Sequence, residues 1–449
     1  MTIKSFKANS VFGYLDFDIK FNNDISFLVG GNGSGKTTAL KLMNALVSPN
    51  FKELLKIPFK YCALEISTDV KDITISAETI GEEIHLLVND VEEPLVLHSL
   101  ISTKFDYISH REEKIDEFVD DMKRRNSDHP VLVAISNIVS PIFLGLDRRR
   151  DTSDIKQDYF HEREMWLHQK RSKGIAASRR FINGSIGASL MDTEMLVQNS
   201  YRRIRELESK QANRLRDKIL LSSFQFSKFE SSDFEHNINE WKEKEIILAR
   251  KREINEAILN IVGKDSALSN EVNNFFSEIT KLFDIFQNMD KNKNGVVVEW
   301  LLNKAQIERM FSIVEIIDEH KSKIDRYYKP INDFIKTINN YYKDSNKVIK
   351  VDAVGQLIVK RPDGNECTIE ALSSGERQLL VIFAHAFFNR HSHKKNIFII
   401  DEPELSLHLR WQENFAETIF SINPNSQYIL ATHSPEIVAG NKNKSVKCR

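Results

Sequence analysis

Two adjacent carboxylates, Asp401 and Glu402, close the apolar run Asn396 to Ile400. At the tip of a buried strand, one such acid can hold the shell of a divalent cation while its neighbour polarises an attacking water. That chemistry needs a phosphate to act on, and Gly30-Gly31-Asn32-Gly33-Ser34-Gly35-Lys36-Thr37-Thr38 carries the Gly, four residues, Gly-Lys-Thr spacing of a P-loop. A third group, His433, follows the apolar run Gln427 to Thr432. A histidine there can contact a terminal phosphate, although a lone histidine is more often structural.

The P-loop residues divide the work by type. Glycines let successive backbone N–H groups converge on phosphate oxygens, and the following helix adds its positive end. Gly30, Asn32, Gly33, Ser34, Gly35, Lys36, Thr37 and Thr38 are therefore nucleotide-binding candidates. Lys36 is expected to reach the β and γ phosphates, while Thr37 and Asp401 hold Mg²⁺. An ordinary Gly-rich turn is the plain alternative, but Ile25 to Val29 reads as a buried strand and Thr38 to Met43 as a helix. The motif sits where a strand-loop-helix unit needs it.

Leu372-Ser373-Ser374-Gly375-Glu376-Arg377-Gln378 precedes the apolar helical run Leu379 to Phe388. A helix capped by Ser373 or Ser374 explains this stretch as well as phosphate binding by Ser373, Ser374 and Gly375 does. Between the acidic pair and His433 lies Glu404-Leu405-Ser406-Leu407-His408. A different acidic stretch, Asp290 to Gly295, imitates the start of a calcium loop, yet Leu301 stands where the bidentate Glu belongs and Glu299 falls two positions early. We read it as a turn between helices.

The elements that position these groups occupy the two ends of the 449-residue chain. Three short strands between Ile3 and Val29, then runs at Tyr61 to Ile66, Asp72 to Ala77 and Glu83 to Val88, predict antiparallel strands around the P-loop. Arg111 to Phe118 reads as an exposed helix and Pro141 to Leu146 as a returning buried strand. Charged residues 151–185 read as a mobile lid. Helices follow from a cap at Asp192 through Leu220, from Asn237 to Ile261 with Ile247, Ile254 and Ile261 seven apart, and from Val298 to Tyr342 with a kink or break at Pro330. Strands at Val348 to Asp352 and Gln356 to Lys360 restore sheet character. The expected organisation is a head in two halves, residues 1–150 and 346–449, with a charged lid and helical, partly coiled-coil insertion at 151–345.

Composition bounds the partners. Lys plus Arg number 63 against 64 Asp plus Glu, a net charge of −1, so any nucleic-acid surface must be local. Candidate basic stretches are Lys170-Arg171, Arg179-Arg180 and Arg202-Arg203 with Arg205, for which a solvated face is the commoner reading. The three cysteines lack metal spacing and fit a reduced, cytoplasmic protein, and no run of about 18 apolar residues predicts a membrane span.

The ordered set of Leu372 to Gln378, Asp401 to His408 and Ala431 to Pro435 resembles ABC-type ATPases of the overcoming-lysogenization-defect, RecF and SMC-like group. The resemblance implies an α/β head with a mixed sheet and antiparallel β subdomain. It implies two heads sandwiching ATP and Mg²⁺ between one P-loop and the other's signature. Ser373 and Gly375 then act across the dimer, and Asp401, Glu402 and His433 serve hydrolysis. The family's glutamine-containing loop has no match between Leu40 and Lys156, and Gln157 is the first candidate. Only Glu436 to Arg449 follow the histidine motif, too few residues for the Toprim nuclease that some relatives carry, which implies a separate effector chain. Stand-alone heads of this kind resemble the ATPase of the PARIS anti-phage system, with a Toprim partner, and next the Septu and retron-associated ATPases, with an HNH partner. The resemblance thus implies a sensor and scaffold that forms a homo-oligomer and releases a nuclease on a phage trigger. A RecF- or SMC-like repair ATPase that binds DNA directly is the alternative, and a transporter engine is disfavoured by the long insertion.

Overall fold

The computed structural model describes residues 1–48, 51–98, 119, 121, 122, 124–145, 185–222, 250, 273, 274, 277, 278, 280, 281, 294–388 and 396–448, and the statements below concern these. They form two compact units, Met1–Ser200 with Asp333–Arg449, and Tyr201–Asn332.

The first unit opens with β1 (Thr2–Val11), β2 (Leu15–Lys20) and β3 (Ile25–Val29), the three strands expected from the sequence. Alternation along Leu15-Asp16-Phe17-Asp18-Ile19-Lys20 buries every second side chain, which fixes one face of β2 toward the core. Helices α1 (Lys36–Val47) and α2 (Phe51–Lys56) follow, then β4 (Tyr61–Ser67), β5 (Asp72–Ile80), β6 (Glu83–Val88), β7 (Leu95–His98), α3 (Pro130–Ser136) and β8 (Ile142–Leu144). The antiparallel sheet has the order β2-β1-β4-β5-β6-β7. Its edge strand β7 had no forecast in the sequence, because four residues of alternation are too few to tell from a loop.

Helices α4 (Ser185–Ser222) and α5 (Asn294–Tyr341) come next. After α5 come β9 (Val348–Val351), β10 (Leu357–Lys360), β11 (Glu366–Cys367), α6 (Ser374–Phe388), β12 (Ile397–Asp401), α7 (Leu409–Ile422), β13 (Gln427–Thr432), α8 (Pro435–Val438) and β14 (Ser445–Lys447). A small sheet has the order β11-β10-β9, and the central sheet is β14-β3-β13-β12-β8 with every pair parallel.

Both faces of that central sheet are covered, which is why its strands read as unbroken apolar runs. Successive residues feed opposite cores: Leu28, Ile399, Ile429 and Ala431 join α1 and the antiparallel sheet. Phe27, Phe398, Ile400, Tyr428 and Leu430 join α6, α7 and the end of α5. The two sheets are tied by one buried amide. Gln427 Nε2 donates to the carbonyls of Ile3 and Asn22, each at 2.8 Å, and its Oε1 accepts from Ile3 N at 2.7 Å. The expected architecture, a mixed α/β head with an antiparallel β subdomain and helical regions, is the one observed.

Within the second unit, portions of α4 and α5 lie side by side. Tyr328 donates to Glu208 at 2.7 Å, Gln211 Nε2 donates to the Tyr327 hydroxyl at 3.3 Å, and Tyr201 meets Tyr328 edge-on at 6.2 Å. Lys218 and Lys323 flank Glu319 and hold its carboxyl down to about 2. Two expectations are corrected. The described helix spans Ser185–Ser222, so Asp192 lies inside it and not at its N-terminus. α5 continues through Pro330, because losing one N–H leaves the neighbouring turns of a long, packed helix intact. The expected helix at 111–118, that at 237–261 apart from residue 250, the lid up to residue 184, Gln157, and residues 290–293 of the calcium-like stretch lie outside the described residues.

Candidate functional site

Strand β3 delivers the P-loop and α1 receives it, so the loop must reverse direction within six residues, 30–35. Gly35, at φ +88°, starts the helix, and a Cβ there would stand 2.7 Å from the Phe17 ring. Only glycine meets both demands. No side chain caps α1, whereas His129, His408 and Ser434 cap α3, α7 and α8. The first N–H groups of α1 are thus left for an anion. Gly31, Asn32 and Gly33 are exposed, Gly30, Ser34, Thr37 and Thr38 are half-buried, and Lys36 is buried.

Parallel pairing of β3 with β13, and of β13 with β12, brings three separated motifs to one sheet end. Lys36 Nζ donates to the Gly30 carbonyl at 2.9 Å and lies 2.6 Å from His433 Nε2. Burial pushes the Lys36 ammonium below the usual lysine range, against the opposing pull of Cys448, Glu402, Asp401 and Glu404. A phosphate beside it would favour the charged form against that burial.

Thr37 Oγ1 donates to Asp401 Oδ2 at 2.8 Å, so a hydroxyl and a carboxylate from two motifs share one spot. Among the described residues no group of three or more His, Cys, Asp or Glu could cage a metal. The Thr37–Asp401 donor set instead fits Mg²⁺, which takes one or two protein oxygens and completes its shell with water and phosphate. Glu402 Oε1 lies 3.9 Å from His433 Nε2. Its backbone, at φ +44°, is held by donation from Glu402 N to the Ala431 carbonyl at 2.8 Å.

Ser373, Ser374 and Gly375 stand at the start of α6. Ser373 N donates to Glu376 at 2.6 Å and Glu376 N to Ser373 Oγ at 3.3 Å, a reciprocal capping box. Burial pushes the Glu376 carboxyl up, but Lys347 at 2.7 Å and the Ser373 N–H outweigh it and hold the group below its ordinary value. Both serine side chains are exposed, while Gly375 is buried. A Cβ on Gly375 would fall 2.3 Å from the Ser406 carbonyl, so glycine is required for a contact inside this same head.

Two participants escaped sequence reasoning. Glu404 Oε1 accepts from His433 N at 2.6 Å and from Ser434 N at 3.2 Å, fixing the histidine tip. Cys448, after the three-residue strand β14, donates its N–H to Val29 at 3.0 Å and its thiol to the Ser34 carbonyl at 3.6 Å, behind the P-loop. Nothing in the local pattern around either residue signals a pairing that depends on remote strands.

Residues 1–438 match the AAA ATPase domain family. The chain belongs to that family. Among curated proteins it is similar to the Retron Vc95 probable ATPase of Vibrio cholerae serotype O1 biovar El Tor, at 24% identity over 196 residues. That match covers 39% of this chain and 38% of the relative's own length. Among solved structures it is similar to an Smc head domain with extended coiled coil, bound to the C-terminal domain of ScpA, from Pyrococcus furiosus: TM-score 0.41, 14% identity, 99% of this chain and 95% of that one. A second is an Smc head domain with coiled coil and joint from Pyrococcus yayanosii: TM-score 0.39, 15% identity, 98% and 93% covered. The fold described above rests on the strand order rather than on these likenesses.

Proposed function

We propose that the protein hydrolyses ATP with Mg²⁺ and uses the cycle as the sensor and scaffold of a bacterial anti-phage complex. The observation that carries the hydrolytic part is the convergence of Lys36, Thr37, Asp401, Glu402 and His433 at one sheet end. Lys36 and the α1 N-terminus bind the phosphates. Mg²⁺, held by Thr37 and Asp401, would neutralise charge on the terminal phosphates. Glu402 would orient and polarise the attacking water, and His433 would contact the transferred phosphate. Ser373, Ser374 and Gly375 act on the nucleotide of a second head, which makes the working unit a head-head dimer within a homo-oligomer. Residues 151–345 form the insertion that contacts partners.

The similarity to a retron ATPase supports the defence role and favours a retron-type assembly over a PARIS-type one. The effector is a separate nuclease, of HNH type in the first case and Toprim type in the second, released by a phage trigger in the cytoplasm. No helix among the described residues is long and apolar enough to cross a membrane.

The test is affinity purification from the native operon, with wild type beside Glu402→Gln, and identification of co-purifying proteins. A stoichiometric nuclease, with phage protection lost in Lys36→Ala, is the expected result. Recovery of the ATPase alone on DNA, with binding that falls steeply as salt rises, would transfer the reading to a repair ATPase.

A further inference from the structure

Gln412 follows the acidic loop on α7 and belongs to none of the chemical motifs. It is 8% exposed, and both ends of its amide are engaged. Nε2 donates to the Leu407 carbonyl at 2.8 Å, and Ser434 Oγ donates to its Oε1 at 2.6 Å. One side chain therefore joins the 402–408 loop to the residue next to His433.

The same two segments meet again through Glu404, whose carboxylate takes the N–H groups of His433 and Ser434. Ser434 is itself fixed, its Oγ accepting from Glu436 N and Ile437 N to cap α8, while the Glu436 carboxylate at 2.9 Å is a second, longer acceptor competing for its one hydroxyl proton. The loop is held at a third point where the Ser406 carbonyl seats on Gly375. Glu402 leads this loop and His433 tips the other segment, with 3.9 Å between their side chains. Their separation is thus set by groups lying outside the nucleotide site.

We propose that Gln412 is a positioning residue for hydrolysis, fixing the distance between Glu402 and His433 through Leu407 and Ser434. This rests on the hydrolytic roles proposed above. An amide suits the task because it donates at one end and accepts at the other, so both carbonyl and hydroxyl are satisfied by one rigid plane. Misplacement of a catalytic pair by about 1 Å is enough to cost roughly 10²-fold in rate.

The experiment uses the full chain and compares wild type with Gln412→Leu, Gln412→Glu, Ser434→Ala and the Gln412→Leu/Ser434→Ala double variant. ATP turnover, affinity for a fluorescent ATP analogue and the thermal midpoint are measured for each. Gln412→Leu is expected to lower kcat roughly 10- to 100-fold, with KM and analogue affinity within about threefold. Gln412→Glu keeps the acceptor for Ser434 but sets a carboxylate oxygen against the Leu407 carbonyl, so its kcat should fall at least as far as that of Gln412→Leu. The double variant should be no slower than Gln412→Leu, since the two residues act as one unit. Ser434→Ala alone should show the same kcat-selective loss, which keeps the test valid if Gln412→Leu does not fold. Unchanged kcat in Gln412→Leu and Ser434→Ala, additive losses, or parallel falls in kcat, analogue affinity and thermal midpoint would overturn the inference while leaving the hydrolytic reading intact. A wild type with no turnover would bring down that reading and this inference together.

Discussion

The P-loop and the acidic loop both need left-handed backbone, and they meet the need in opposite ways. In the P-loop the positive φ angles, +77° and +88°, fall on Gly33 and Gly35. In the acidic loop they fall on Glu402 at +44° and Ser406 at +62°. A loop that works through backbone N–H groups can dispense with side chains, so glycine relieves the strain. Glu402 cannot be dispensed with in the proposed chemistry, and its strained backbone is held instead by the Ala431 carbonyl. Ser406 is held by packing, its carbonyl pressed onto Gly375.

The sharpest break in that comparison comes from placing glycine where the carboxylate stands. Glu402→Gly should lower kcat by about 10³-fold while relaxing the backbone, raising stability by about 1 kcal/mol. Turnover assays beside thermal melts separate the two effects, and a Glu402→Gly protein that melts lower would show that residue 402 is not strained. The reverse exchange is Gly35→Ala, which adds a Cβ against Phe17 at an angle alanine avoids. It should cost about 2 kcal/mol of stability and most of the nucleotide affinity, seen by melting and by analogue titration.

A smaller effect concerns the support beneath the signature turn. Lys347→Met leaves the nearly buried Glu376 carboxylate without its cation and should cost about 2 kcal/mol in denaturant unfolding. Since the folded Glu376 carboxyl sits below 4.5, its contribution is complete above that pH and is lost as pH falls through the folded value. Unfolding curves of Glu376→Gln should therefore lack the part of the acid-side decline that wild type shows. The smallest change is Ser406→Gly, expected to raise stability by about 0.5–1 kcal/mol with nucleotide affinity unchanged.

What the chain disclosed in advance follows the same division. The P-loop, the acidic pair and His433 were legible because each sits at a strand end and its spacing is imposed by a rigid local unit. The central strands were legible because burial on both faces leaves runs such as Ile397-Phe398-Ile399-Ile400. Glu404 and Gln412 were not, since their partners are set by how β13 lies beside β12. Strands β7 and β14, of four and three residues, carry too little alternation to announce themselves. The unbroken helix through Pro330 was missed for a related reason: local propensity argues for a stop, and packing along α5 overrides it.

The position of β3 has a consequence for how the protein is made. Both neighbours of this strand, β13 and β14, come from residues 427–447, about 400 positions after it. At ribosomal rates of roughly 5–20 residues per second, β3 waits about 20–80 s with neither edge paired. The strand that carries the P-loop is thus completed by segments made long after it. Until β13 and β14 have emerged, the strand that delivers the P-loop exposes apolar side chains that must be shielded.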